Sequence, residues 1–142
     1  MDRERQKLLI AFTITSVTFM ELLDATILNT ALPKIAQTMH VDVLDAKASI
    51  TSYLVSLGIL IPVSGWIADR FGMKRTILAA VMIFTLSSAL CGMAKTLPML
   101  LFFRILQGLG GALMTPVARL ILVRMFHKDD LVRIAGLVAI PV

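Results

Sequence analysis

Four long apolar blocks separated by short charged segments constrain this chain more strongly than any other feature of its sequence. The blocks run over about residues 8–32, 48–68, 76–94 and 98–121. Each has roughly the 20 residues that an α-helix needs to cross the ~30 Å hydrocarbon core of a bilayer. Because lipid cannot hydrogen-bond to exposed backbone, spanning segments must be helices or closed barrels. We therefore predict an all-α transmembrane protein.

Composition and charge agree with a membrane protein and argue against a nucleic-acid partner. Hydrophobic residues make up 58% of the 142 residues, whereas a soluble domain is usually about 45–50% apolar. The net charge of +5 would suggest nucleic acid in a soluble protein. Here the cations lie in the gaps between apolar blocks and do not interleave with aromatic residues. The expected partner is therefore the lipid bilayer.

A fifth apolar segment begins at about residue 133, and the sequence reaches Val142 inside it. A finished membrane fold does not stop within a span. Residues 1–142 are therefore predicted to be an incomplete N-terminal transmembrane domain, whose remaining C-terminal spans belong to a longer chain. The first block is too long for the apolar core of a cleaved signal peptide, so we expect it to be retained.

The distribution of basic residues predicts the orientation. Ten of the fourteen Lys and Arg residues fall on the side of the N-terminus, three fall on the opposite side, and Arg104 lies inside a span. Positive charge favours the cytoplasmic side of a membrane. The N-terminus is therefore expected in the cytoplasm.

Three ionisable residues lie well inside predicted spans: Glu21 and Asp24 in the first and Arg104 in the fourth. Each is costly in hydrocarbon unless it is paired or hydrated. Asp24 lies ~12 Å before the outer end of its span, and Arg104 lies ~9 Å after the outer end of its own. These oppositely directed helices can bring the two charges together. The result would be either a structural ion pair or a functional site facing a cavity.

A carboxylate in such a site can carry a proton, because arginine stays charged throughout. Glu21 precedes Asp24 by three residues and lies near the same helix face, so either residue could titrate or they could share the task. Thr26 and Asn29 add polar groups to the outer half of this helix. They would serve either interhelical hydrogen bonding or substrate contact.

The loop between the second and third spans combines two glycines with four charged residues: Gly65, Asp69, Arg70, Gly72, Lys74 and Arg75. Gly65 would let another helix approach closely. Gly72 can adopt a turn conformation that other residues resist. Lys74 and Arg75 would hold the loop in the cytoplasm. The charges alone would also fit an ordinary basic turn.

This loop resembles the signature loop of the major facilitator superfamily, in which a glycine precedes Ala-Asp-Arg and is followed by a second glycine and basic residues. Met73 departs from the pattern, since a basic residue is usual there. Residues 100–112, with Arg104 followed by Gln107 and Gly108, resemble the family's fourth-helix motif. Residues 24–33 resemble the first-helix motif of the fourteen-span drug:proton antiporters. The three motifs occur in order and cover most of the chain.

The resemblance implies a partial N-terminal helical bundle of a major facilitator fold in the cytoplasmic membrane of a bacterium. It implies proton-coupled efflux of small amphipathic or cationic compounds, with the proton gradient as energy source and no cofactor. Asp24 would be the coupling carboxylate and Arg104 its partner in coupling. Asp69 and Arg70 would belong to a cytoplasmic latch between the two transporter halves. The fourth helix would pack closely on its neighbours through Gln107, Gly108, Gly110 and Gly111.

Other functions remain open at this stage. The same fold can import compounds or export a specific metabolite, and the chain can be a truncated product that transports nothing. An enzyme is not expected, because no nucleophile–base pair, phosphate-binding loop or metal-ligand cluster occurs. The single cysteine, Cys91, lacks companions for a metal site or an intrachain disulfide and is interpreted as a small buried hydrophobe.

Overall fold

The structure, a computed structural model, describes residues 3–125 as four long helices. They are α1 (Arg3–Met39), α2 (Val43–Phe71), α3 (Met73–Met93) and α4 (Leu97–Met125). All four are long and apolar enough to cross a membrane. The predicted all-α transmembrane class is confirmed. The fifth apolar segment, predicted from about residue 133, lies outside the described residues.

The helices are longer than the apolar blocks. The first block was expected to end before Pro33, but α1 continues through this proline to Met39. Hydropathy detects the part of a helix that faces lipid, whereas the helix itself continues into the polar region. Proline is tolerated inside membrane helices because neighbouring groups satisfy the freed backbone, and α2 and α4 also contain one. As a result, the connection between α1 and α2 shortens to residues 40–42.

Tight turns hold successive helices antiparallel. His40 has a φ of 54° and closes α1, while the Asp42 side chain caps α2 by accepting a hydrogen bond from the Leu44 N–H at 3.1 Å. Gly72 alone separates α2 from α3, with a φ of 87°. A side chain resists this conformation, which explains why glycine stands at the turn.

Helix α4 is the centre of the bundle, and it packs extensively on both α2 and α3. A Cβ atom at Gly108 would lie 2.6 Å from the Ser56 Cβ of α2. A Cβ atom at Gly110 would lie 2.8 Å from the Phe84 nitrogen and 3.0 Å from the Ala80 oxygen of α3. These two glycines therefore allow α4 to approach both neighbours at backbone distance, as small residues do in membrane bundles.

The substitution Gly110→Ala is expected to force α3 and α4 apart, because its Cβ would collide with backbone that cannot rotate away. Overpacking of this kind usually costs about 1–3 kcal/mol. The free energy of unfolding in detergent micelles should fall accordingly. Gly58→Ala on α2 is the matched control, since among the described residues no heavy atom beyond its own helical turn lies within 4 Å of its Cβ position. Equal stability of the two variants would contradict the close α3–α4 contact.

Candidate functional site

The centre of the site is an ion pair between α1 and α4. The Arg104 Nη1 atom donates to the Asp24 Oδ2 atom at 2.7 Å, and the two side chains are only 6% and 12% exposed. The antiparallel arrangement of α1 and α4 brings the two residues to the same level, as their similar predicted depth suggested. Each charge removes much of the penalty for burying the other.

Gln107 completes the coordination of the carboxylate. It follows Arg104 by three residues and therefore projects from the same face of α4. Its Nε2 atom donates to the Asp24 Oδ1 atom at 2.8 Å, and its side chain is fully buried. Both oxygens of Asp24 are thus held by donors from α4. Sequence reasoning assigned Gln107 to helix packing and missed this hydrogen bond.

A third helix joins the cluster through Cys91. The Cys91 thiol of α3 donates to the Gln107 Oε1 atom at 3.7 Å, a distance compatible with a bond from sulfur. The sequence suggested only an inert buried cysteine, and no spacing rule connects residues 91 and 107. The amide of Gln107 consequently bridges the thiol on α3 and the carboxylate on α1.

Asp24 and Arg104 line a cavity of about 410 Å³ between α1, α3 and α4. Most of its other lining residues are apolar, including Leu28, Phe84 and Leu100. A few carry hydroxyl or thiol groups: Thr85, Ser88 and Cys91. An apolar wall with a small number of polar groups is the usual composition of a small-molecule site. The charged pair thus forms part of the wall of this cavity.

Glu21 lies in a different environment, although only three residues separate it from Asp24. Its Oε2 atom accepts a hydrogen bond from the Thr115 hydroxyl of α4. Its Oε1 atom is buried and has no hydrogen-bond partner in the described part of the chain. The Arg104 Nε atom is also buried and has no hydrogen-bond partner in the described residues. Sequence reasoning did not identify Thr115, because nothing in its spacing links it to Glu21.

Thr26 and Asn29 do not join the cluster. Both are exposed in the described structure, and the Thr26 hydroxyl donates to the Leu22 carbonyl of its own helix at 2.8 Å. Asn29 lines a separate surface pocket between α1 and α2, beside Pro33 and Lys47. Among the described residues, neither forms a hydrogen bond with Asp24.

At the opposite end of the bundle, Asp69 and Arg70 of the signature loop each make a charged contact within the described residues. The Arg124 Nη2 atom of α4 donates to the Asp69 Oδ1 atom at 3.0 Å, in a pair that is about half exposed. The Arg70 guanidinium lies 5.7 Å from the centre of the Trp66 ring, within range of a cation–π interaction. Sequence reasoning placed Asp69 in the latch loop but did not identify Arg124 as its partner.

The remaining loop residues face outward. Lys74 and Arg75 are exposed. Gly65 is also exposed, and no heavy atom of the described residues lies within 4 Å of its Cβ position. The close helix approach expected at Gly65 is therefore not made by α1–α4. Gly111, by contrast, lies under the Tyr53 hydroxyl, which would be 2.9 Å from a Cβ atom there.

No group of three or more His, Cys, Asp or Glu side chains within residues 3–125 is arranged to hold a metal ion. In the described residues the polar centre of the bundle consists of one ion pair, between Asp24 and Arg104, and several hydrogen bonds. A carboxylate in such a centre can gain or lose a proton and exchange its hydrogen-bond partners.

Residues 14–141 match the Major Facilitator Superfamily. Similar proteins include "Putative multidrug resistance protein MdtD" of Pectobacterium atrosepticum, 42% identical over 123 residues, and its counterparts in Yersinia enterocolitica, 40% identical, and Yersinia pestis, 39% identical. Each alignment covers 87% of this chain but only 26% of the relative. The chain thus spans about a quarter of the length of these relatives. The matched family is the one that the sequence motifs resembled.

A double-mutant cycle on Asp24→Asn and Arg104→Gln tests the buried pair. Each single change leaves one buried charge without its partner, which typically costs about 3–5 kcal/mol. The double change removes both charges, so its effect should be smaller than the sum by about 1–3 kcal/mol. The measurement is the free energy of unfolding in lipid–detergent micelles.

The exposed pair provides the matched control. The cycle of Asp69→Asn with Arg124→Gln removes an ion pair of similar distance that water can screen. Its coupling free energy should be below about 1 kcal/mol. Additive effects at Asp24 and Arg104 would contradict the buried pair.

Proposed function

The chain belongs to the major facilitator superfamily, and we propose that its Asp24–Arg104 pair couples proton uptake to the export of small amphipathic or cationic compounds. The observation that carries this proposal is a buried carboxylate whose two oxygens are held by Arg104 and Gln107 of the facing helix. Because the chain spans about a quarter of its relatives' length, the complete transport path would include helices beyond the described ones.

Proton binding at Asp24 would change the contact between α1 and α4. A protonated carboxylic acid no longer balances the charge of Arg104, which cannot itself lose its proton. Arg104 would then be a buried cation without a counter-ion, an arrangement that favours movement of the two helices or entry of water. Proton occupancy and helix position are therefore energetically coupled, and an alternating-access transporter needs this coupling.

The cavity suggests the class of substrate. Its apolar walls suit a hydrophobic body, and Asp24 offers the one carboxylate among the residues that line it in the described structure. A cationic compound and a proton would compete for this carboxylate, so that binding of one favours release of the other. The name of the similar Pectobacterium and Yersinia proteins refers to multidrug resistance, which supports export of such compounds. The proposed energy source is the proton gradient.

We place the protein in the cytoplasmic membrane of a bacterium, with its N-terminus in the cytoplasm. The α2–α3 loop and the end of α4 then lie on the cytoplasmic side, with Lys74, Arg75 and Arg124. The proposed latch belongs to this side. Since Asp69 is 60% exposed while it is paired with Arg124, it can also bind a second transporter half.

The substitution Asp24→Asn is expected to abolish proton-driven transport in the full-length protein, because the amide cannot exchange a proton. The measurement is accumulation of a fluorescent cationic compound in inverted vesicles, driven by an imposed proton gradient. A decrease of at least tenfold is expected. Asp45→Asn removes an exposed carboxylate at the start of α2 and should leave the flux unchanged.

Retained gradient-driven accumulation in the Asp24→Asn variant would refute the proposal. Gradient-driven release from inverted vesicles, instead of accumulation, would indicate uptake by the cell as the physiological direction.

A further inference from the structure

We propose that Glu21 is a second proton-binding site, and that it carries a proton in the conformation described here while Asp24 is ionised. Resemblance to the family assigns no role to Glu21. The inference deepens the proposed function, since a second exchangeable proton matters to a proton-coupled transporter. The charge states themselves can be measured without transport.

The partners of Asp24 require an ionised carboxylate. Its two oxygens accept from the Arg104 Nη1 atom at 2.7 Å and the Gln107 Nε2 atom at 2.8 Å. Guanidinium and amide N–H groups are donors only. A proton on Asp24 would leave the buried guanidinium of Arg104, which stays charged, without its counter-ion. In this conformation the carboxylate is therefore negative and its charge is balanced by Arg104.

Glu21 has neither a cationic partner nor hydrogen bonds to both of its oxygens in the described residues. Its one hydrogen-bond partner in the described residues is the Thr115 hydroxyl, and its Oε1 atom is buried without a partner. A buried anion with a single neutral hydrogen bond is strongly unfavourable, and carboxyl groups in such positions bind a proton instead. A hydroxyl can either donate or accept, so Thr115 remains a suitable partner once Glu21 is protonated.

The Thr115 hydroxyl behaves differently from comparable groups in the bundle. Thr13, Thr18 and Thr76 each donate to the carbonyl one turn earlier on their own helix. Thr115 instead points across the helix interface to the carboxyl group of Glu21. The contact is thus a specific link between α1 and α4, separate from the link that Asp24 makes.

The charged groups around Glu21 form no ion pair with it in the described residues. Asp24, one turn away on α1, is already paired with Arg104, so its charge has little effect on Glu21. Arg119 on α4 attracts Glu21 electrostatically, but it is exposed and forms no ion pair with it within the described residues, so water weakens its effect. The other groups near Glu21 are an uncharged phenol, that of Tyr53 on α2, and apolar side chains of α3 such as Phe84.

The proposed step is simple proton exchange with water. On loading, a proton from water forms an O–H bond with a carboxyl oxygen of Glu21, and the group changes from negative to neutral. On release, this O–H bond breaks and the proton returns to water on the opposite side of the membrane. Two separate carboxylates allow the transporter to exchange more than one proton per cycle.

Infrared spectroscopy of the full-length protein in lipid bilayers at neutral pH tests the assignment, because protonated and ionised carboxyl groups absorb at different frequencies. The difference spectrum of wild type minus Glu21→Gln should contain the band of one protonated carboxyl group. Wild type minus Asp24→Asn should instead contain the bands of one ionised carboxylate. Thr115→Val should shift the Glu21 band without removing it. Asp45→Asn, an exposed control, should leave the protonated band unchanged.

Absence of a protonated band from the Glu21→Gln difference spectrum would overturn the inference, as would its presence in the Asp24→Asn difference spectrum. The four substitutions are nearly isosteric, and elution as a single species in size-exclusion chromatography checks that each variant is folded. Failure of the proposed function has a different signature, because flux in vesicles would then be independent of the proton gradient whatever the spectra show.

Discussion

The charge on Arg104 is the constraint on which the rest of this bundle depends. A guanidinium that is 95% buried in a membrane helix cannot lose its proton and must therefore find an anion. Asp24 supplies that anion from α1, and Gln107 satisfies the second carboxylate oxygen. These bonds fix the rotation of α1 relative to α4. Around them, α1 contributes only scattered buried side chains, such as Val17 and Leu28.

The interfaces of α4 are of two kinds, and the difference has a mechanical consequence. Toward α2 and α3 the helix presents Gly108 and Gly110, which bring backbones together without charged groups. Toward α1 it presents Arg104, Gln107 and Thr115, whose bonds depend on the charge of a carboxyl group. A proton can therefore alter the α1–α4 interface while the glycine contacts of α4 with α2 and α3 stay intact. Helix α4 can thus stay packed on α2 and α3 while its contact with α1 changes with the charge of a carboxyl group.

Sequence patterns predicted the elements well and the polar contacts only in part. Hydropathy located four helices but not their ends, since α1 continues through Pro33 into the polar region. Helical rise and antiparallel direction were enough to predict similar depths for Asp24 and Arg104. The bonds from Gln107 to Asp24, from Thr115 to Glu21 and from Arg124 to Asp69 depend on helix rotation and rotamers. A single sequence contains no direct signal for these quantities.

The unlike surroundings of Glu21 and Asp24 originate in α4 rather than in α1. The two carboxylates share a helix, a chemical type and nearly the same depth, so α1 alone would give them similar behaviour. Helix α4 distinguishes them because it places a cation and an amide donor opposite Asp24 and a neutral hydroxyl opposite Glu21. A slide of α1 by one turn toward its own C-terminal end would bring Glu21 to the present level of Asp24, opposite Arg104 and Gln107. Under the proposal, such a change of register would move the negative charge from Asp24 to Glu21, provided that the close packing of α4 on α2 and α3 keeps the position of α4 fixed.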